Sequence, residues 1–272
     1  MSNIALFQRF WRLVGNKIGY IVREQNGRLL FSDDLRIELL ASGDHMISIL
    51  EPIMFYSAPY KSGSRKQNAR RAIFVDGSFH LRANDGTFDL VKATCNLVVY
   101  DNEEVAGQSY TLKLVDSMHF DMEDSQLQSE FHPMFHAQRG YSTMITHDKV
   151  VARAKTATRM TEEQITVIPG DQSLEFMRLP TPQMDMLSVL ATVVADFFCH
   201  KKSSRPEKDA FHELLKNLLT HNNLARSGLS SQVLARRWND RPPFSAAHWY
   251  KEVSGLGMPV EPQRPAQAAK VV

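Results

Sequence analysis

The chain has 272 residues, 43% hydrophobic and 23% charged, the balance of a globular protein able to bury a core. Its net charge of +2 is too mild to require a polyanion partner, and two cysteines exclude a disulfide framework, which fits a reducing cytoplasm. No stretch reaches the roughly 20 apolar residues of a membrane span, and the best run, VLATVVADFF, is broken by Asp196.

Ile4, Phe7, Phe10, Trp11 and Val14 recur at helical spacing, and Gly15 is placed to end that helix, so residues 1–16 are expected as an amphipathic helix. Arg9 and Arg12 interrupt any secretory hydrophobic region. The absence of acids before Glu24 leaves contact with a membrane surface as the alternative to docking on the core. The period then changes to two. KIGYIVRE, RLLF, LRIELLA and HMISILEPIMFY read as strands, with Gln25-Asn26-Gly27 as a hairpin turn between the first pair.

KSGSRKQNARR, residues 61–71, follows as an exposed basic loop. Its five cations, Lys61, Arg65, Lys66, Arg70 and Arg71, suit phosphate contacts, with Tyr56 and Tyr60 able to stack on bases. Residues 101–130 hold eight acids and only Lys113 as a base, so the charge is divided along the chain. Beyond the loop, RAIFVD, FHLRA, TFDLVKATCNLVVYD and SYTLKLVDSMHFDME read as strands, the last two as a long hairpin. STMITHD, KVVARA, QITVIPG and LEFMRL extend the sheet. Thr181 as cap and Pro182 in the first turn open a helix through MDMLSVLATVVADFF that covers it. The expected fold is α+β: a twisted antiparallel sheet over residues 17–200 with that covering helix. A helical extension over 201–257 and a disordered tail over 258–272 follow. The extension adds basic residues, among them Lys201, Lys202, Arg205 and Lys208.

Walker A, GxGxxG, GxSxG and paired CxxC motifs are absent. Cys199 beside His200 is read as a buried helix-end cysteine and not a nucleophile pair, because adjacent helical residues point about 100° apart. The chemistry concentrates in SEFHPMFHAQRG, read as a turn. His119 and Asp121, two apart in a strand, share a face. His132 and His136 are spaced for joint ligation on a helical turn. With Glu130 as general base and Arg139 on the substrate, these residues compose the alternative site. It is one divalent metal such as zinc or manganese in a phosphodiesterase or nuclease. The primary reading assigns no cofactor and no catalytic residue to the chain. It makes His132, His136, Gln138, Arg178 and Asp185 a structural latch joining turn, sheet and helix start.

The segments FHPMFHAQRG and RLPTPQMD resemble a group of uncharacterised prokaryotic proteins that carry an HPxxHxQ turn and an RxPTPxxD helix start. In this chain the matching positions are His132, Pro133, His136, Gln138, Arg178, Pro180, Thr181, Pro182 and Asp185, with Asp121 near a strand end. The resemblance implies a defence or toxin–antitoxin neighbourhood, a bacterial cytoplasm and a protein partner from the same operon. Together the readings favour a non-catalytic accessory or regulatory subunit that contacts DNA, RNA or a nucleoprotein.

Overall fold

The computed structural model describes residues 3–59, 70–84, 87–123, 135–140, 145–170, 178–180, 185–199, 204–221 and 225–227. The chain opens with α1 (Asn3–Glu24), followed by β1 (Leu29–Leu30), β2 (Leu35–Leu39), β3 (His45–Ile49) and β4 (Ile53–Pro59). Three long strands come next: β5 (Arg70–Asn84), β6 (Thr87–Val105) and β7 (Ser109–Glu123). β8 (Phe135–Arg139), α2 (His147–Thr158), β9 (Ile165–Ile168) and β10 (Arg178–Pro180) follow. The described chain ends with α3 (Met186–Val193) running into a π-turn at Val194–Phe198, then α4 (Arg205–His221) and β11 (Ala225–Ser227).

The fold is α+β. Among the described residues eleven strands form one sheet ordered β1-β4-β5-β6-β7-β8-β10, antiparallel except where β9 pairs with β7 and β11 with β6. The long strands each serve two neighbours on one edge. β5 pairs with β4 through Arg70–Val75 and with β3 through Ser78–Leu81. β7 pairs with β9 through Tyr110–Lys113 and with β8 through Met118–Met122.

One face carries the larger core. Phe7, Trp11, Val14, Ile18, Ile21 and Val22 of α1 meet Ile73, Val75, Cys95 and Phe120 of the sheet, with Met186, Val189, Leu190 and Val193 of α3 beside them. Gly77 lets α3 approach closely, since a Cβ there would lie 2.6 Å from Thr94 O and 3.1 Å from Met186 Sδ. The other face packs Phe74, Val98, Tyr100, Tyr110 and Leu112 against Val150, Val151, Ala154 and Ala157 of α2. Arg153 pins α2 to the sheet, with Nε donating to Pro52 O at 2.6 Å and Nη1 on Glu51.

Several expected elements are corrected. The first helix does not stop at Gly15; it continues through KIGYIVRE, which is helical rather than a strand. Gly15 serves packing, because a Cβ there would sit 2.6 Å from the Phe31 ring. Gln25-Asn26-Gly27 ends that helix instead of turning a hairpin. Asn26 takes φ 54°, Gly27 N–H donates to Val22 O at 2.9 Å and Asn26 N–H to Arg23 O at 3.0 Å, the bonding of a Schellman motif. KVVARA lies in α2, not in a strand, and Ile145–Asp148 of STMITHD lead into that helix. α3 begins at Met186 with Asp185 as its cap, its carboxylate accepting from Ser188 N–H at 2.9 Å, while Thr181 and Pro182 lie outside the described residues. The extension contains α4 as expected but also a strand, β11. Its later expected helices and the tail lie outside the described residues, as do Lys201 and Lys202.

The apolar face of α1 is spent on the protein's own core: Trp11 and Ile18 are 0% exposed. Among the described residues no helix is long and apolar enough to cross a membrane.

Candidate functional site

The side-chain chemistry of the sheet gathers on β5 to β8, on the same face as Phe74 and Val98. Asp76, Asn96, His119 and Gln138 stand opposite one another across the four strands. The next row is Ser78, Thr94, Asp121 and His136. Alternation along each strand sends all eight to one face, and the register, not the sequence spacing, brings them together. Asp76, Asn96, His119, His136 and Gln138 are buried.

The groups bond across strands. Ser78 Oγ and Thr94 Oγ1 are 2.8 Å apart, and Lys149 of α2 reaches Asp76 Oδ2 at 3.0 Å. His119 Nδ1 lies 3.1 Å from Asn96 Oδ1, an acceptor, so Nδ1 carries the proton and Nε2 presents its lone pair. Nε2 lies 4.0 Å from Asp121 Oδ2. Burial, assisted by the Lys92 charge, pushes the His119 pKa down and favours the neutral ring. The rings of His119 and His136 are 6.3 Å apart, centroid to centroid.

Of the alternative metal set, the structure therefore places His119, Asp121 and His136 on one face of adjacent strands. Their geometry differs from expectation in one respect: His136 belongs to strand β8 and not to a helical turn, so strand pairing brings it opposite Asp121. His132 and Glu130 lie outside the described residues. A neutral imidazole oriented through its other nitrogen, beside a carboxylate, is a suitable donor pair for a divalent cation. Among the described residues, however, no three His, Cys, Asp or Glu side chains form a group that could hold a metal ion. Arg139, the expected substrate clamp, is half-exposed and holds Asp116 through Nε at 2.8 Å.

Of the expected latch, Gln138 stands opposite Arg178 and His136 opposite Pro180 across the antiparallel pair of β8 and β10. Asp185 caps α3, the helix whose Met186 packs in the larger core with Ala137 and Cys95. His132 lies outside the described residues.

Of the basic loop, Lys61, Arg65 and Lys66 lie outside the described residues. Arg70 and Arg71 open β5; Arg71 Nε contacts Asp101 at 3.0 Å and Arg70 Nη1 donates to Ser57 O at 3.4 Å. The acids of the β6–β7 turn thus stand beside the root of the basic loop, and Tyr56 OH is bonded to Glu104. Cys199, half-buried after the π-turn, and Cys95, fully buried, both have thiol pKa values raised by burial, which disfavours a thiolate.

Asp76, Asn96 and Lys149 were not expected as members of the cluster. Two of them carry a sequence signal: Asp76 in RAIFVDGSF and Asn96 in KATCNLVVY each put a polar side chain at an inward step of an apolar alternation. Lys149, on a segment read as a strand, carried none. No protein-family model, no curated protein and no solved structure matches the chain.

Proposed function

We propose that this protein is a non-catalytic accessory or regulatory subunit of a bacterial defence system, working in the cytoplasm, that meets a nucleic acid or nucleoprotein partner through basic surface. The observation that carries the polyanion part of this reading is the outer face of α1. Arg9, Arg12, Asn16 and Arg23 are exposed there, within an arc of about 60° and over about 21 Å of helix by α-helical geometry. That helix has no acid before Glu24, and the three arginines enter no ion pair among the described residues. Three uncompensated guanidinium groups on one rigid helix fit a row of phosphates. Lys61, Arg65 and Lys66 of the basic loop add positive charge to the chain. The HPxxHxQ and RxPTPxxD resemblance supports the defence setting and a partner protein from the same operon. The cross-strand bonds of the polar cluster support a framework role for it.

Fluorescence anisotropy with labelled DNA and RNA duplexes at low salt tests this reading. Binding of either is the expected result; failure of both would remove the nucleic-acid contact and leave only the protein partner.

The convergence of His119, Asp121 and His136 favours a second reading, a metal-dependent phosphodiesterase. In it His119 and Asp121 would bind the cation, which would activate water for attack on phosphorus. Elemental analysis of purified protein, compared with His119→Ala and His136→Ala, decides it. Stoichiometric zinc or manganese that falls in both variants would support this reading, and metal-free folded protein would remove it.

A further inference from the structure

We infer that two copies of this chain pair through the free edge of β2, antiparallel and two-fold about Ile37. Among the described residues β2 pairs only with β3, so its other edge is open. The Leu40 N–H bond to Asp44 O at 2.8 Å fixes the parity of the strand. Even-numbered residues turn their backbone groups to β3, and Leu35, Ile37 and Leu39 turn theirs outward. An exposed row of outward N–H and C=O groups is a template for another strand.

The five residues LRIEL are self-complementary about their centre. A two-fold axis at Ile37 sets Ile37 against its own copy, Leu35 against Leu39, and Arg36 against Glu38. The outward-facing residues then form the hydrogen-bonded pairs. Arg36 and Glu38 fall at the non-hydrogen-bonded positions, where side chains stand closest and an ion pair is favoured. Leu39 supplies the apolar incentive. It is 71% exposed, on the same strand face as Leu35 and Ile37, which pack against the larger core. Pairing lays it over Leu35 of the second copy. Charges on an edge strand ordinarily repel another edge. Here Arg36 and Glu38 alternate so that an antiparallel copy meets opposite charge at both positions. Within one chain the two already contact each other while remaining 65% and 46% exposed, so both can also reach a second partner.

A single short strand pair buries less than a standard interface, so association is expected in the range of about 10 to 100 μM. Sedimentation velocity over a concentration series tests it, reading the shift from 31.0 kDa toward twice that mass. Arg36→Glu and Glu38→Arg are each expected to weaken self-association by about ten-fold or more, because each homodimer then opposes like charges twice. Mixing the two variants is expected to restore the dimer, since Glu at 36 of one meets Arg at 38 of the other and the native pair forms at the second contact. Both sites are exposed, and a circular dichroism melt of each variant checks that the fold is kept. Wild-type protein still monomeric at about 300 μM would overturn the inference. So would dimers indifferent to both reversals, or variants that stay monomeric when mixed.

Discussion

Asp76 is 1% exposed, and it shares the face of the polar cluster with Asn96 and His119. Lys149 reaches one carboxylate oxygen at 3.0 Å, and the Gly77 backbone N–H also favours the carboxylate. Burial raises its pKa and outweighs the ammonium that lowers it, so the fold disfavours the charged form. The sign follows. Between the unfolded value of about 4 and the raised folded value, the native state holds a proton that the unfolded chain has lost. That contribution is fully present at low pH and is lost as pH rises through the window. Asp76→Asn removes the titration. Urea denaturation from pH 4 to 7 is expected to show the variant gaining on the wild type as pH rises. A variant that becomes relatively less stable as pH rises would mean that the Lys149 pair outweighs desolvation.

The helices show what the sequence made legible and what it did not. In α1, Val14, Ile18, Ile21 and Val22 continue the spacing of Phe7, Phe10 and Trp11, but the β-branched and aromatic composition of KIGYIVRE reads equally as a strand. The tie-breaker was tertiary: Gly15 accommodates Phe31, a contact between residues distant in sequence. KVVARA failed for the same reason, since a short apolar run lacks the length to separate periods of 2 and 3.6. The start of α3 was displaced because Thr181-Pro182 and Asp185 are both adequate helix openings. The Asp185 cap has a measurable consequence. Asp185→Ala is expected to lower stability by about 1 kcal/mol, and Asp185→Asn, which keeps the acceptor, by much less. Thermal unfolding of the two variants checks it; equal losses would locate the contribution in charge rather than in the hydrogen bond.

At the scale of the molecule, the strands were the most legible part, because alternation, turn residues and the long β6–β7 hairpin agree with one another. The candidate site was half legible. His119 and Asp121 share a face by local spacing alone, whereas the position of His136 opposite Asp121 depends on a register that spacing does not specify. The basic face of α1 was visible as a run without acids. That face stays exposed because the apolar face of the same helix is buried against the sheet. The most direct test of the accessory-subunit reading is the salt dependence of nucleic-acid binding by wild type and by the Arg9→Gln/Arg12→Gln/Arg23→Gln variant. Three lost phosphate contacts on duplex DNA should make the slope of log K against log salt less negative by about 2.7, and weaken binding alike for unrelated sequences. An unchanged slope in a folded variant would contradict the account.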